Sequence, residues 1–450
     1  MPGSKGYFDS HDVTSPGPSA DHTLLSPFEP SAERPTVFRN LTSDTLRSED
    51  DKFFDTHEND APAGAETVAF AFDIDGVILR GKEAIPGARE TIQMLQDKDV
   101  PFIFLTNGGG KTEKDHAKQV GERLNLELSS ENFVQSHTPF YDLVPKYKDE
   151  TILVLGGQGN QIRELAKDYG FTKVITSSDL VAQWPHIHPF PEMTKDHHAV
   201  HGIPTGETPK VAAILVWSSP RDWCLDLQII TDLLLGSHGN LGKKSSYNNS
   251  EHLPNWGFLS ENQPHLFFSN PDFEWKTQHD EPRFAQGAFR AALKGVWAAA
   301  TQGRAELAYT VIGKPTKATY TYGEKIMMSY NDKLSAKLGL DRKITRVYMI
   351  GDNPESDIRG ANEFESHMGA DWRSVLVETG VYKAGTKPKY EPTMYAKDVL
   401  GAVWNVLDKE GMYDELLHAN FRAASLVKTS KELRIGDLDF VELNIGKNED

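Results

Sequence analysis

Residues 67–76 of this 450-residue chain read Thr67-Val68-Ala69-Phe70-Ala71-Phe72-Asp73-Ile74-Asp75-Gly76. The apolar run predicts a buried strand, which ends in two carboxylates one residue apart and a glycine turn. Ionisation of both carboxyls at such close range is unfavourable, so one carboxyl stays protonated or a divalent cation neutralises the pair. Because Asp-x-Asp-Gly is also ordinary turn chemistry, the motif alone leaves an acidic loop and a metal site as alternatives.

Short apolar runs alternate with amphipathic segments from Thr67 onward, which indicates an α/β fold with a parallel sheet. The predicted strands are 68–72, 102–105, 152–155, 211–216, 266–268, 308–312, 347–350 and 374–377. Predicted helices include 88–97, 112–124 and 158–169. Two intervals, 171–211 and 236–263, lack periodicity and are predicted to be long loops.

Three more predicted strands end in polar motifs: Thr106-Asn107-Gly108, Gly313-Lys314-Pro315, and the run Gly351-Asp352-Asn353-Pro354-Glu355-Ser356-Asp357. Each alone could be a turn, a surface lysine or a helix cap. In an open parallel sheet, however, ligands bind outside the carboxyl ends of the strands, so we expect all four motifs to meet at one edge. A glycine loop and one ammonium there suit an anion, and two acidic clusters suit a metal.

With these motifs in this order, the sequence resembles the haloacid dehalogenase (HAD) superfamily over roughly residues 65–410. The resemblance implies a Rossmann-like parallel-sheet core with an inserted α/β cap domain of the C2 type. It also implies a Mg²⁺-dependent phosphohydrolase that cleaves a small organic phosphate monoester through a phosphoaspartate intermediate. A small phosphorylated metabolite is the expected partner.

Site roles follow from the same resemblance. Asp73 would be the nucleophile and Asp75 the general acid and base, roles that suit the chemistry of carboxylates. Mg²⁺ would be held by Asp73, the backbone carbonyl of Asp75, and Asp352. The implied phosphate-binding residues are Thr106, Asn107, Gly108 and Lys314. Asn353 and Asp357 would contact these groups without binding the metal or the phosphate themselves. Asp357 would orient Lys314 or the water molecules bound to the metal.

The spacing of the motifs places the cap. About thirty residues separate Asp75 from Thr106, whereas about two hundred separate Thr106 from Lys314, enough for an extra domain. The predicted domains are a disordered arm over 1–64, core segments over 65–149 and 305–412, the C2-type cap over 150–304, and a C-terminal extension over 413–450. A homodimer formed through the cap is a further expectation.

The run Phe267-Phe268-Ser269-Asn270-Pro271-Asp272 looks like subclass IIA of the superfamily. It implies a substrate-specificity loop comprising Asn270, Asp272, Phe273 and Trp275. Thr106-Asn107-Gly108-Gly109-Gly110 and the long cap insertions resemble the cat eye syndrome critical region protein 5 family. The long N-terminal arm and the cap insertions keep an alternative open, because such segments often carry partners: a binding or assembly protein with weak or vestigial phosphatase activity. The resemblance to that branch links this alternative to mitochondrial glycerophospholipid metabolism.

Composition limits the partners and the compartment. The formal net charge of −17 argues against nucleic acid, and no apolar run is long enough to span a bilayer. The single cysteine, Cys224, cannot form an intramolecular disulfide and is predicted to be a buried small hydrophobe. Because the N-terminus has neither a signal core nor transit-peptide composition, we expect an intracellular soluble protein, cytoplasmic or mitochondrial.

Five histidines cluster in the first long interval: His186, His188, His197, His198 and His201. Their spacing is irregular and no cysteine accompanies them. The pattern therefore favours a solvated loop over a structural zinc site.

Overall fold

The structure is a computed structural model that describes residues 65–189, 194–275, 281 and 283–412. The predicted arm and C-terminal extension lie outside these residues. Within them, no helix combines the length and the apolar character needed to cross a bilayer.

The strands are β1 Ala65–Phe72, β2 Leu79–Arg80, β3 Glu83–Ala84, β4 Phe102–Leu105, β5 Phe133–Val134, β6 Thr151–Leu155, β7 Lys173–Ile175, β8 Val211–Val216, β9 His265–Phe268, β10 Glu274–Trp275, β11 Arg283–Phe284, β12 Thr310–Val311, β13 Arg342–Gly351, β14 Asp371–Val377 and β15 Met394–Ala396. The helices are α1 Ala88–Asp97, α2 Glu113–Leu124, α3 Val144–Tyr147, α4 Gln161–Tyr169, α5 Ser177–Gln183, α6 Lys195–His201, α7 Trp223–Leu235, α8 Gln286–Ala300, α9 Lys317–Leu338, α10 Arg359–Glu363 and α11 Val399–Lys409.

One parallel sheet, the core sheet, has the strand order β15-β14-β13-β1-β4-β5. Side chains of β1 alternate between two apolar layers. Phe70 and Phe72 pack on the side of α1 and α11, while Ala69 and Ala71 pack on the side of α9. Because β1 is buried on both faces, it reads as a continuous apolar run, as expected for a central parallel strand.

A separate parallel sheet, the second sheet, has the order β12-β9-β8-β6-β7 and also carries apolar layers on both faces. The α/β fold with a Rossmann-like parallel core is therefore confirmed.

Three local predictions differ from the structure. The strand predicted over 308–312 is β12, and it pairs with β9 of the second sheet rather than with the core. The interval 171–211 contains β7, α5 and α6 instead of being only loop. Cys224 is exposed, because the buried stripe of α7 begins one residue later, at Leu225.

Candidate active site

Strand pairing brings the acidic motifs to one edge of the core sheet. Phe72 of β1 pairs with Ile350 of β13 and with Phe104 of β4, so the three chains leave the sheet side by side. The Asp73 N–H donates to the Ile350 carbonyl at 3.0 Å. The residues that follow these strands therefore share one edge, as the sequence predicts.

The side chain of Lys314 also lies at this edge, although Lys314 follows β12, a strand of the second sheet. Its side chain is 1% exposed, and Nζ lies 2.7 Å from Asp73 Oδ1 and 2.8 Å from Asp357 Oδ1. Burial alone would lower the pKa of Lys314, but the Asp357 and Asp73 carboxylates outweigh it and the net shift is upward. Lys314 is thus a permanent cation.

Three buried carboxylates surround this one cation. Oxygens of Asp73, Asp352 and Asp357 all lie within 4.8 Å of one another. Burial, followed by the charges of Asp73 and Asp357, raises the pKa of Asp352 well above its ordinary value. Burial is also the main reason that the pKa of Asp73 rises to about 7, although Lys314 opposes the shift. When all three carboxyls are ionised, the site therefore has an excess of negative charge.

An all-oxygen set with excess negative charge is the chemistry that a hard cation such as Mg²⁺ requires, so the residues fit the metal that the family resemblance implies. Asp73 and Asp352 belong to this set. Asp357, predicted as a supporting residue, contacts Lys314 directly and accepts from the Asn353 N–H at 3.0 Å.

Two glycines leave room for the Asp352 carboxylate. A Cβ atom at either Gly76, whose φ is 93°, or Gly380 would collide with Asp352 Oδ2. The same oxygen accepts from the Val381 N–H at 2.6 Å. Gly380 and Val381 were not anticipated, although they follow β14 at the same sheet edge, which is the signal that could have identified them.

Asp75 differs from the other carboxylates because it is exposed. A Cβ atom built on Gly108 would lie 3.6 Å from Asp75 Oδ2, so the carboxyl faces the loop after β4. The surrounding protein still desolvates this carboxyl and raises its pKa, with Arg123 opposing the shift. An accessible carboxyl with a raised pKa can carry a proton to and from a ligand.

The loop after β4 is organised by its own side chains. Thr106 Oγ1 accepts from the Gly108 N–H at 3.0 Å. Asn107 accepts from the Lys314 N–H at 2.7 Å and donates to the Lys314 carbonyl at 2.9 Å. The four predicted phosphate-binding residues therefore form one connected unit.

The predicted specificity loop is joined to this unit. Asn270 Nδ2 donates to the Asn107 carbonyl at 2.9 Å, and Asn107 Nδ2 donates to Asp272 Oδ2 at 3.0 Å. Burial raises the pKa of Asp272 to about 6. Phe273 and Trp275 lie just beyond and are 52% and 50% exposed. The loop thus has a buried polar base and an aromatic end open to solvent.

Arg290 is a further residue that the sequence did not single out. It donates to the Pro271 carbonyl at 3.4 Å, and its charge stabilises the ionised form of Asp272. Its position on α8, one turn after Gln286, is the only sequence signal for it.

We expect Lys314→Met to lower the free energy of unfolding by about 3 kcal/mol at neutral pH in chelator, because it leaves buried carboxylates without a cation. Lys333→Met, which removes the exposed contact of Lys333 with Glu131, should cost less than about 1 kcal/mol. Urea unfolding measures both. Because the unpaired carboxyls acquire higher pKa values than in the unfolded chain, the deficit should shrink as pH falls. An equal deficit in both variants would contradict the assigned role of Lys314.

Comparison with known families and proteins adds sequence relationships to this geometry. Residues 70–172 match the haloacid dehalogenase-like hydrolase family model, and residues 311–402 match a HAD-hydrolase-like model. A cardiolipin synthase (CMP-forming)/mitochondrial hydrolase fusion protein of Schizosaccharomyces pombe is 36% identical over 385 residues, which are 84% of this chain and 58% of the fusion protein. A mitochondrial hydrolase of Saccharomyces cerevisiae is 34% identical over 363 residues, covering 77% of this chain and 97% of that protein.

Among solved structures, a possible sugar phosphatase of the HAD superfamily from Cytophaga hutchinsonii superposes with a TM-score of 0.50 at 16% identity, over 74% of this chain and 94% of that one. At this identity the likeness concerns the fold alone.

Proposed function

Because the chain belongs to the haloacid dehalogenase-like hydrolases, we propose that it is a Mg²⁺-dependent phosphatase that cleaves a small organic phosphate monoester. The observation that carries the proposal is the contact of Asp73 with Lys314, within a cluster of buried carboxylates that has an excess of negative charge. Phosphatase-named relatives, such as a ribonucleotide monophosphatase of Escherichia coli that is 31% identical over 109 residues, support the reaction class.

The first half of the reaction belongs to Asp73 and Asp75. A carboxylate oxygen of Asp73 attacks phosphorus, the bond from phosphorus to the leaving oxygen breaks, and Asp75 gives its proton to that oxygen. The raised pKa of Asp75 supports this role because burial favours the protonated form of the carboxyl, with Arg123 opposing the shift. Lys314 holds the nucleophile in place and balances charge on the phosphoryl group.

The second half reverses the proton transfer. Asp75 removes a proton from water, the water oxygen bonds to phosphorus, and the bond from phosphorus to Asp73 breaks. Thr106, Asn107 and Gly108 would position the phosphoryl oxygens. Asp73, Asp352 and the Asp75 carbonyl would hold Mg²⁺, which when bound draws charge from the transferring group.

We propose that residues 150–304 form the cap, with the specificity loop as its contact to the site. The edge strand β12 of the second sheet lies beyond these bounds and leads from the proposed cap to Lys314. A homodimer through this cap is part of the proposal and is tested by light scattering of the purified chain.

Phe273→Ala and Trp275→Ala should change the ranking of substrates and leave the chemistry intact. Losing an aromatic wall removes contact with a large leaving group, so kcat/KM for bulky esters should fall about tenfold while small esters lose little. Kinetics on paired small and large phosphates measure this. Trp256→Ala, which alters an exposed aromatic outside the loop, is the control. Equal losses on both substrate sizes would assign Phe273 and Trp275 to stability instead.

The test of the function is an assay of phosphorylated metabolites with Mg²⁺, including glycerol phosphates, sugar phosphates and nucleoside monophosphates. Inorganic phosphate release that depends on Asp73 supports the proposal. If no ester is hydrolysed while 4-nitrophenyl phosphate is also inert, the phosphatase assignment fails.

A second candidate is a binding or assembly role with vestigial catalysis in mitochondrial glycerophospholipid metabolism. The observation that favours it is the fusion of a related hydrolase with a cardiolipin synthase in one chain. Co-purification of this protein with cardiolipin synthase, unaffected by Asp73→Asn, would support this role.

The names of the Schizosaccharomyces pombe and Saccharomyces cerevisiae relatives also support a mitochondrial location.

A further inference from the structure

Two of the five clustered histidines are buried, in contrast to the predicted solvated loop. His188 and His198 are 5% and 6% exposed, whereas His186 and His197 are exposed. His198 lies on α6, and His188 lies shortly after α5. Burial of an imidazole is unfavourable unless its ring nitrogens find hydrogen-bond or metal partners. What surrounds these two rings therefore needs an explanation.

The two rings converge on one carboxylate. His188 Nε2 lies 3.2 Å from Asp222 Oδ2, and one ligand atom from each of His188, His198 and Asp222 lies within 4.8 Å of the other two. In a tetrahedral zinc site with bonds of about 2.0–2.1 Å, neighbouring ligand atoms are about 3.3 Å apart. The closest pair already has that spacing. The wider pairs need only a modest inward movement toward a central ion.

One ring nitrogen of the buried His198 is left without a hydrogen-bond partner in the described part of the chain. His198 Nε2 has no hydrogen-bond partner among the described residues, whereas His198 Nδ1 lies 3.0 Å from Ser178 Oγ. Metal-binding histidines show this division of roles, with one ring nitrogen oriented by a polar neighbour and the other on the ion. Asp222 is oriented as well, because its Oδ1 accepts from the Leu225 N–H at 3.0 Å and caps α7.

Arg163 links the helices that surround the cluster. The Arg163 guanidinium donates to both carboxylate oxygens of Asp179 at 2.5 and 2.8 Å, and to the His201 carbonyl at 3.1 Å. These buried contacts join α4, α5 and the end of α6. His198 is therefore carried by a helix that is fixed to its neighbours, as a binding site requires.

The cluster also lies where a doubly wound sheet binds ligands. In the second sheet the chain passes from β6 to β7 on one side and returns to β8 on the other, so the strand order reverses between β6 and β8. Ligands bind outside the carboxyl ends of strands at such a point. A cavity of about 240 Å³ opens there, lined by Gly156 and Gly157 after β6 and by Arg221 and Asp222 after β8.

We propose that His188, His198 and Asp222 bind a zinc ion, with its fourth position open to this cavity for water or a small anion. Two imidazoles and one carboxylate form a three-ligand set typical of zinc sites that keep an open position. The set is distinct from the carboxylate cluster of Asp73, Asp352 and Asp357, whose oxygens suit Mg²⁺. His188 Nε2 also lies 3.0 Å from Thr194 Oγ1. On binding, its contacts with Asp222 and Thr194 are replaced by coordination of His188 and Asp222 to one ion.

Metal content and cobalt spectroscopy test the proposal on the full-length protein. With excess Mg²⁺ present to occupy the carboxylate cluster, we expect one Zn²⁺ per chain after dialysis. Co²⁺ in its place should give the intense visible absorption of a four-coordinate ion. His198→Gln and Asp222→Asn should lose most of both signals. His186→Gln, which alters an exposed histidine of the same segment, should keep them.

Wild-type protein that retains no Zn²⁺ under these conditions would overturn the proposal, as would equal retention by His198→Gln and His186→Gln. Because a variant could fail to fold, circular dichroism and the melting temperature are recorded for each. The wild-type melting temperature should rise with Zn²⁺, and the rise should vanish in folded His198→Gln. A Zn²⁺-dependent rise that persists in this variant would also contradict the site.

Discussion

Asp73→Asn should lower kcat for 4-nitrophenyl phosphate by about 10³-fold or more, because the amide is a poor nucleophile at phosphorus. The fold should survive. Since burial raises the pKa of Asp73 to about 7, the ionised carboxylate destabilises the metal-free protein as pH rises through that value. Removing its charge should therefore leave the melting temperature unchanged or higher at about pH 8 in chelator, while Lys314 keeps its contact with Asp357.

Asp75→Asn is the variant to compare with Asp73→Asn, because it alters the neighbouring carboxylate and keeps the nucleophile Asp73 intact. Nitrophenolate leaves without needing a proton, so the first turnover should occur and the phosphoaspartate should then accumulate. Rapid mixing should show a burst approaching one nitrophenol per chain, followed by slow release. Asp73→Asn should show no burst, and Asp149→Asn, on the exposed surface, should behave as wild type. Wild-type turnover by Asp73→Asn would exclude the covalent mechanism.

Chelation of divalent ions should abolish the activity, and Mg²⁺ should restore it. Without the metal, burial raises the pKa values of both Asp73 and Asp352, and neighbouring carboxylates add to the shift, so these groups take up protons. Ca²⁺ should fail to restore turnover, because its longer and looser coordination would misplace the nucleophile. The measurement is phosphate release after EDTA treatment and gel filtration, with Mg²⁺-saturated EDTA as the control.

The same carboxylates make Mg²⁺ binding dependent on pH. Binding must displace protons from groups such as Asp73, whose pKa is about 7, so affinity should increase between about pH 6 and pH 8. Calorimetry in buffers of different ionisation enthalpy would count the protons released. Full activity in EDTA, or Mg²⁺ affinity independent of pH, would remove the metal from this site.

Local pattern was sufficient for much of the architecture. Apolar runs that end in polar motifs identified β1, β4 and β13, because central parallel strands are buried on both faces and read as continuous hydrophobic segments. The carboxyl-edge rule then placed Asp73, Thr106 and Asp352 near one another before any distance was known. Short strands such as β5, β7 and β15 were missed, since two or three residues are too few to show a period.

The sequence by itself determined the α/β class, the order of the motifs and the chemical character of the acidic edge, since periodicity and residue type are local properties. Only the tertiary structure decided which sheet presents Lys314, since its contact with Asp73 joins residues 241 positions apart and depends on how β12 pairs. The tertiary structure likewise decided that His188 and His198 converge on Asp222. Irregular spacing along the chain says nothing about distance in space when helices and loops return the chain to one point, and only packing brings those side chains together.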